Sequence, residues 1–316
     1  MHYVPLGGSD LYVSAVGLGC NNFGRRLDAR QTRRVLDAAL DCGVTFIDTA
    51  DIYGGEDRLG SSEAFLGRAL RGRRERVVLA TKFGYADVDM GYGPATGPKG
   101  GRGYVRRAVD ASLRRLMTDR IDLYQFHSPD PAVPVTETLG ALAELVEEGK
   151  VRHIGHSNFD GRRLTEAAEA ARRLDVPAFV TAQNEWSLLH RATERDLVPA
   201  ALAGGVSVLP YYPLANGLLT GKVRRGAAPP PTSRLHGRDG YLTASRLDLV
   251  EALIAVAERH GRTLLELAIG WLRAQPACAS VLTGATSAAQ IQANAAAAEH
   301  PLEPALLAEI DALTGS

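Results

Sequence analysis

Two acids and a phenol follow directly on an apolar pair in the segment FIDTADIYGGEDRLG, residues 46–60. Asp48, Asp51 and Tyr53 lie within six residues of one another. A turn alone explains such a stretch, because Asp and Gly favour turns and tyrosine often keeps its hydroxyl in water. A carboxylate and a phenol delivered by the end of a strand are also the parts of a proton-transfer site.

Polar side chains close several other short apolar runs in the same way. Lys82 stands near the end of VVLATKFG, and His127 follows the apolar run in IDLYQFHSPD. Each residue alone has an ordinary structural explanation, such as a solvated lysine or a histidine satisfied in the core. Their meeting on one face would make a site. The further strand-end residues are Ser157, Asn158, Gln183 and Tyr211.

A phenol beside an ammonium group can act as a proton donor, because a nearby cation stabilises the phenolate and lowers a pKa of about 10. We predict that Lys82 is this cation, that Asp48 holds its ammonium, and that neutral His127 donates a hydrogen bond to a carbonyl oxygen. Tyr53 would be the general acid for a carbonyl that gains negative charge. The sequence offers no metal-ligand set and no Ser-His-Asp order, so the electrons must come from an organic cofactor.

Eight strand-like runs, each followed by a helical pattern, predict a single (β/α)8 barrel over residues 1–316. A doubly wound sheet is the alternative, but GLGCNNFG stands where a GxGxxG motif would follow the first strand. The strands are expected at residues 16–18, 45–48, 77–81, 121–126, 153–157, 181–184, 206–210 and 280–283. The helices are expected at residues 28–43, 62–70, 104–115, 134–150, 160–174, 193–203 and 288–297.

Three features go beyond a plain barrel. Residues 2–19 resemble a β-hairpin that precedes the first barrel strand, and two extra helices are expected at residues 245–260 and 304–314. Residues 84–103 and 221–241 form long irregular stretches. Loops of this length in a compact barrel are usually functional, so we predict that both cover the active site or the cofactor.

Composition excludes several classes of partner. Lys+Arg and Asp+Glu both number 36, so the net charge of +0 gives no support for nucleic acid or an anionic membrane. No apolar run approaches the roughly 20 residues that span a bilayer, and the N-terminus has no secretory pattern. Three cysteines without a CxxC pair argue against disulfides and structural zinc, so we expect a cytoplasmic protein. The oligomeric state stays open.

Seven segments, some of them quoted above, together resemble the sequences of a known family over essentially the whole chain. They are FIDTADIYG, LATKFG, SLRRLMTDRIDLYQFHSPD, GKVRHIGHSNF, AQNEWSLLHR, PYYPLANGLLTGK and TGATSAAQIQAN. In this order they resemble the aldo-keto reductases, in particular the bacterial and potassium-channel β-subunit-like branch. The resemblance implies that Asp48, Tyr53, Lys82 and His127 form the catalytic tetrad of that family.

The resemblance also implies NADPH, with NADH as the alternative, bound across the barrel mouth without a Rossmann fold. Ser157, Asn158 and Gln183 would hold the nicotinamide amide, and Tyr211 would stack on its ring. Relatives that prefer NADPH commonly place a basic residue near Thr286 or Gln290, and residues 281–299 contain none. Lys222, Arg225 or Arg234 could instead reach in from the proline-rich loop. Further expected cofactor contacts are Gly19, Cys20, Asn21, Asp48, Pro213, Leu214, Gly217, Leu219, Lys222, Gly284, Thr286, Ser287, Gln290 and Asn294.

The predicted activity is reduction of an aldehyde or ketone to an alcohol. The alternative is a regulatory or interaction protein on the same barrel, which binds cofactor and turns over slowly, as channel β-subunits do. A barrel hydrolase or lyase would need paired carboxylates or metal ligands at the strand ends. The only expected partner is a small carbonyl substrate, with neither nucleic acid nor membrane. The expected walls of its pocket are Phe23, Tyr53, Tyr85, His127 and Trp186.

Overall fold

The computed structural model describes residues 1–55, 58–231 and 233–315, and a barrel of parallel strands forms its centre. A short antiparallel hairpin, β1 (Tyr3–Pro5) and β2 (Tyr12–Ser14), precedes the barrel. The eight barrel strands follow in chain order. They are β3 (Val16–Gly19), β4 (Phe46–Asp48), β5 (Val78–Phe83), β6 (Ile121–Phe126), β7 (Val151–Ser157), β8 (Thr181–Glu185), β9 (Ser207–Tyr211) and β10 (Val281–Gly284).

Seven neighbouring pairs of these strands are hydrogen-bonded in parallel, in the spatial order β10-β3-β4-β5-β6-β7-β8-β9. The last gap, between β9 and β10, is bridged through the residues just before β10. Val208 donates its N–H to the carbonyl of Ala277 at 2.7 Å, and Ala279 donates to the carbonyl of Val208 at 3.1 Å. The described chain is therefore a nearly closed (β/α)8 barrel with an N-terminal hairpin, as predicted.

Helices follow the strands and cover the outside of the barrel. The first begins with a capping box: Gln31 donates its backbone N–H to Asp28 Oδ1 at 2.7 Å, and Asp28 donates its backbone N–H to Gln31 Oε1 at 3.0 Å. The described helices are α1 (Ala29–Asp41), α2 (Ser61–Ala69), α3 (Arg102–Leu116), α4 (Val135–Glu147), α5 (Gly161–Leu174), α6 (Leu197–Gly204), α7 (Ala244–Arg259), α8 (Leu264–Arg273), α9 (Ala288–Ala297) and α10 (Pro304–Thr314).

The two extra helices are present as α7 and α10, but α8 was not predicted. Most of α8 is buried, and Glu266 and Arg273 are its only charged residues. Its start carries a second capping box, Thr263 with Glu266, which is the signal that identifies it. The expected helix at residues 193–203 is divided into a 3₁₀ turn, Ala192–Glu194, and α6.

The hairpin closes the N-terminal end of the barrel. Its residues Leu6, Leu11 and Val13 are buried in one cluster with Phe46 and Leu123, whose side chains come from β4 and β6. This end of the barrel is therefore filled by apolar side chains, and polar side chains collect at the opposite end. None of the helices in the described ranges is long and apolar enough to cross a membrane.

The two long loops lie at this opposite, polar end. The loop at residues 84–103 contains a 3₁₀ turn, Pro94–Thr96. The loop at residues 221–241 follows another, Ala215–Thr220, and ends in a third, Asp239–Tyr241. Thr232 in this loop, together with Glu56, Asp57 and Ser316, lies outside the described residues.

Candidate active site

A cavity of about 930 Å³ opens at the C-terminal ends of the barrel strands. The last residues of five strands and Gln183, near the end of β8, line it, which agrees with the general position of active sites in this fold. These residues are Gly19, Asp48, Ser157, Gln183, Tyr211 and Gly284.

A buried ion pair lies beneath the cavity. Lys82 on β5 is fully buried, and its Nζ donates to Asp48 Oδ2 at 2.6 Å and to the carbonyl of Thr49 at 2.8 Å. The third hydrogen bond of the ammonium goes to the Tyr53 hydroxyl, at 3.4 Å. All three N–H donors of the lysine therefore have acceptors, and one of these is the phenol that lines the cavity.

Two glutamines hold the second oxygen of Asp48. Gln125 and Gln183 each donate from Nε2 to Asp48 Oδ1 at 3.0 Å, and Gln183 also donates to Gln125 Oε1 at 3.1 Å. The carboxylate is thus fixed on both oxygens, and its orientation toward Lys82 is set. Sequence reasoning missed Gln125; a polar residue inside the apolar strand IDLYQF was the available signal.

Burial and nearby charges set the protonation states of Tyr53, Lys82 and His127. Burial raises the pKa of Tyr53 above its ordinary value of 10.0, and the positive charge of Lys82 counteracts part of this rise. The expectation that the phenol pKa would fall is therefore wrong for the protein alone, because burial outweighs the lysine. Burial alone would lower the pKa of Lys82, but Asp48 and Tyr53 raise it above its usual value, so the ammonium stays charged.

The imidazole of His127 is neutral and lies beside the phenol. Burial, and then the charge of Lys82, lower its pKa well below 6.5. Its ring centroid is 6.1 Å from that of Tyr53 and 4.8 Å from that of Tyr85. The backbone of His127 is held on both sides, by the carbonyl of Phe83 at 2.8 Å and by Asn158 Nδ2 at 2.9 Å.

The turn after β4 places Tyr53 at the cavity because glycine follows it. Gly54 has φ +151°, and a Cβ there would lie 2.1 Å from the carbonyl oxygen of Arg58. The N–H of Tyr53 bonds the carbonyl of Ala50 at 3.1 Å, and its own carbonyl accepts from Ser62 at 3.1 Å. Any other residue at position 54 would force this turn to move.

Asp51 is separate from the cavity, although it belongs to the same segment. It is fully buried, and burial followed by the charge of Glu63 raises its pKa to about 8. Glu63 itself accepts hydrogen bonds from Thr81 and Arg115, both at 2.6 Å. The acid that serves the phenol is thus Asp48, and Asp51 belongs to a buried cluster behind the turn.

Side-chain amides at the ends of β7 and β8 suit a nicotinamide group. Asn158 Nδ2 donates one hydrogen bond to the carbonyl of His127 and one to Ser157 Oγ. Gln183 Nε2 likewise donates to Asp48 Oδ1 and to Gln125 Oε1. Each amide therefore offers an oxygen acceptor, and a carboxamide NH₂ needs acceptors. Tyr211 is fixed beside them by a 2.9 Å bond from its hydroxyl to Asn158 Oδ1.

The proline-rich loop is tied across the cavity by one arginine. Arg234 Nη2 donates to Asn21 Oδ1 and Asn22 Oδ1, both at 2.7 Å, on the opposite β3–α1 connection. Lys222 also lines the cavity, whereas Arg225 turns outward to an ion pair with Asp248. These two inward cations, Lys222 and Arg234, suit the phosphates of a dinucleotide.

The far end of the cavity, at the start of α9, is uncharged. Thr286 donates its N–H at 2.7 Å and its hydroxyl at 3.0 Å to Gln290 Oε1, and Ser287 caps the helix by accepting from Gln290 N–H. Gly284 and Asn294 line the same region. A phosphate there would meet hydroxyls, an amide and a helix N-terminus, with no basic residue on this segment.

Most of the predicted site residues line the cavity; Lys82 lies beneath it, and four others do not line it. Trp186 is fully buried against Trp271, with ring centroids 6.0 Å apart, and donates to Glu194, so its prediction as a pocket wall is wrong. Phe23, Cys20 and Leu219 are likewise fully buried in the core and do not line the cavity, because their side chains gain more from packing than from facing the mouth. Predicted residues that line it elsewhere include Asn21, Pro213, Leu214 and Gly217.

Several lining residues were not predicted. Ile52 and Tyr212 each adjoin a predicted site tyrosine in the chain, and this adjacency was the available signal. The others come from connections whose course the sequence does not specify. They include Asn22, Arg25, Arg26, Asp87 and Asn216.

Comparison with known proteins shows which family the chain belongs to. Residues 15–314 match the Aldo/keto reductase family. The uncharacterized oxidoreductase YrpG of Bacillus subtilis is 37% identical, over 97% of this chain and 94% of that protein. A probable voltage-gated potassium channel subunit beta of Arabidopsis thaliana and the L-glyceraldehyde 3-phosphate reductase of Escherichia coli are each 33% identical over 93% of this chain, covering 90% and 86% of those proteins. The chain is therefore an oxidoreductase that belongs to the aldo/keto reductase family.

Proposed function

We propose that the protein reduces an aldehyde or ketone to the alcohol with NADPH. The observation that carries this proposal is the buried Lys82–Asp48 pair, whose ammonium lies 3.4 Å from the Tyr53 hydroxyl beside neutral His127. Such a set serves one task well, which is to give a proton to an oxygen that becomes negatively charged.

In this mechanism Tyr53 and His127 donate hydrogen bonds to the substrate carbonyl oxygen. A nicotinamide cofactor, when bound, would supply the hydride that forms the new C–H bond. Tyr53 transfers its proton to the oxygen, and Lys82 stabilises the phenolate that remains. Asp48, fixed by Gln125 and Gln183, keeps the ammonium charged and pointed at the phenol.

The chain's own groups provide for the cofactor along the cavity. Ser157, Asn158 and Gln183 would hold the carboxamide, with Tyr211 beside the ring. Lys222 and Arg234 would meet the phosphates, and Thr286, Ser287 and Gln290 would meet the adenosine end. We propose a preference for NADPH over NADH that is modest, since this end offers neutral donors.

A relative named for an aldehyde supports the substrate class, because the Escherichia coli protein is an L-glyceraldehyde 3-phosphate reductase. We further propose that the protein works in the cytoplasm. The thiols of Cys20, Cys42 and Cys278 are free, which fits a reducing compartment.

A second function is favoured by the resemblance to a probable potassium channel subunit beta. In that case the protein would bind cofactor tightly and turn over slowly, and the bound cofactor would report a redox state to a partner protein. The tetrad of Asp48, Tyr53, Lys82 and His127 would then be inactive or would catalyse reduction only slowly.

Two measurements test these functions. Fluorescence titration with NADPH and NADH measures binding, and loss of NADPH absorbance with a panel of aldehydes and ketones measures turnover. Reduction requires both binding and carbonyl-dependent turnover that is lost in Tyr53→Phe. Tight binding without turnover favours the regulatory function, and failure to bind either cofactor contradicts both.

A further inference from the structure

The loop at residues 84–103 contains a lysine, Lys99, whose ammonium bonds the backbone of the same loop. Lys99 Nζ donates to the carbonyl oxygens of three residues in the first half of this loop, Tyr85, Ala86 and Val88, at 2.6 Å for Ala86 and 2.8 Å for Val88. These three bonds use all three donors of the ammonium. Within the ranges that the structure describes, no carboxylate pairs with Lys99, so the backbone oxygens are its acceptors.

The end of the loop that carries Lys99 is anchored to the barrel's outer layer. Gly100 donates its N–H to Asp130 Oδ2 at 3.0 Å and accepts a hydrogen bond from Thr138 Oγ1 at 2.9 Å. Lys99 thus reaches from a fixed point back across some 11 to 14 residues of chain to the start of the loop. It closes the loop much as a crosslink would.

The carbonyls that Lys99 holds lie in the segment of residues 85–88, which contributes to the wall of the cavity. Tyr85 and Asp87 both line the cavity, and the ring centroid of Tyr85 lies 4.8 Å from that of His127. The ring centroid of Tyr53 lies 6.1 Å from that of His127. The backbone of residues 85–88 therefore determines where this wall stands relative to the phenol.

We infer that Lys99 is a positioning residue for the substrate: by holding three carbonyls it fixes Tyr85 as the wall of the substrate pocket beside His127. This inference rests on the proposed carbonyl reduction. Lys99 touches neither the proton-transfer groups nor the phosphate end, so its removal affects substrate binding and leaves proton transfer and cofactor binding unchanged. The chemical basis is specific to an ammonium, since the planar guanidinium of arginine cannot direct three donors to one pyramidal set of acceptors.

The test is Lys99→Met, which keeps the length of the side chain and removes its donors. We expect KM for the carbonyl substrate to rise about tenfold, the equivalent of ~1.4 kcal/mol. We expect kcat and the NADPH dissociation constant to stay within a factor of about two, because a binding wall acts on the ground state and transition state alike. Hydrogen–deuterium exchange of the amides at residues 85–92 should become faster, with exchange in β5 and β6 unchanged.

Two further variants separate positioning from general damage. Lys150→Met removes another lysine, which pairs with Asp110 at 3.0 Å and Glu148 at 2.9 Å, and should leave KM unchanged. In a Tyr85→Ala background, Lys99→Met should add little to KM, because the wall it holds is already gone. The inference would be overturned if the effects of the two substitutions on KM were additive, or if Lys99→Met left the hydrogen–deuterium exchange rate at residues 85–92 unchanged. If the wild-type protein turns over no carbonyl, the proposed function fails, and the exchange experiment still decides whether Lys99 holds the loop.

Discussion

The two ends of the cavity are built in opposite ways. At the phenol end, Lys82 and Asp48 are buried, fully hydrogen-bonded and carried by strands. At the start of α9, Thr286 and Gln290 offer only neutral groups, on a loop and a helix terminus that are partly exposed.

The difference follows from what each end has to do. A charge that must stabilise a transition state gains from a low dielectric and from groups that do not have to reorganise. A group that binds and releases a large cofactor must remain accessible, and charges there are screened by water and salt. Substitutions at the buried end should therefore change rates strongly, and those at the open end should change affinities moderately.

The largest effect is expected at the phenol. Tyr53→Phe keeps the ring and removes the proton, so the rate of carbonyl reduction should fall by about 10²–10⁴-fold, as is typical of the loss of a general acid. The NADPH dissociation constant should change little, since Tyr53 meets the substrate. Near-normal single-turnover rates in this variant would exclude Tyr53 from proton transfer.

Lys82→Met should lower the rate and change its dependence on pH. Lys82 counteracts part of the rise in the Tyr53 pKa, so its removal moves that pKa further up. Alcohol oxidation needs the phenolate, which forms only as pH approaches this pKa from below. Below both pKa values the variant should lose alcohol oxidation by a constant factor, and its pH–rate profile should level off at a higher pH than that of wild type. A lower rate that levels off at the same pH as wild type would mean that Lys82 acts only by supporting the fold.

Arg234→Met tests the loop that spans the open end. Because Arg234 bonds Asn21 and Asn22, its removal should loosen the loop and raise the dissociation constants of NADPH and NADH alike, each by about tenfold, or ~1.4 kcal/mol. Arg225→Met is the matched control in the same loop, since Arg225 pairs outward with Asp248. A loss confined to NADPH would instead assign Arg234 to the 2′-phosphate.

An effect no larger than that of Arg234→Met is expected from adding charge at the neutral end. Gln290→Arg should widen the preference for NADPH over NADH by about tenfold at low salt, because a charge-assisted hydrogen bond contributes roughly 1.5–3 kcal/mol. The gain should shrink at moderate salt. Gln290→Met controls for the lost contact with Thr286. A wild-type preference of several thousandfold would contradict the modest selectivity proposed for this end.

The sequence alone predicted the elements and residues that depend on local order. Strand ends meet at one face of a barrel, so Asp48, Tyr53, Lys82 and His127 could be brought together from their positions along the chain. The position of Lys82 on β5 sufficed to predict its pairing with Asp48. The barrel strands were predicted to within a few residues.

The rest depended on three-dimensional packing. Trp186 lies in a loop after β8, and only the structure shows that Trp271 of α8 covers it. The direction of the Tyr53 pKa depends on burial, which a strand-end position does not reveal. Gln125 bonds Asp48 from the next-to-last position of β6, where a polar residue between two aromatic neighbours has no periodicity that identifies its partner.

The hairpin at the N-terminal end has a consequence for how this protein can change. Because β1 and β2 seal one end of the barrel with Leu6, Leu11 and Val13, that part of the folding free energy is independent of the loops at the opposite end. Substitutions in residues 84–103 or 221–241 can then alter substrate or cofactor preference while the apolar cluster under the hairpin stays unchanged. Stability and selectivity are thus physically separated along the barrel axis, which leaves the reactive face free to diversify.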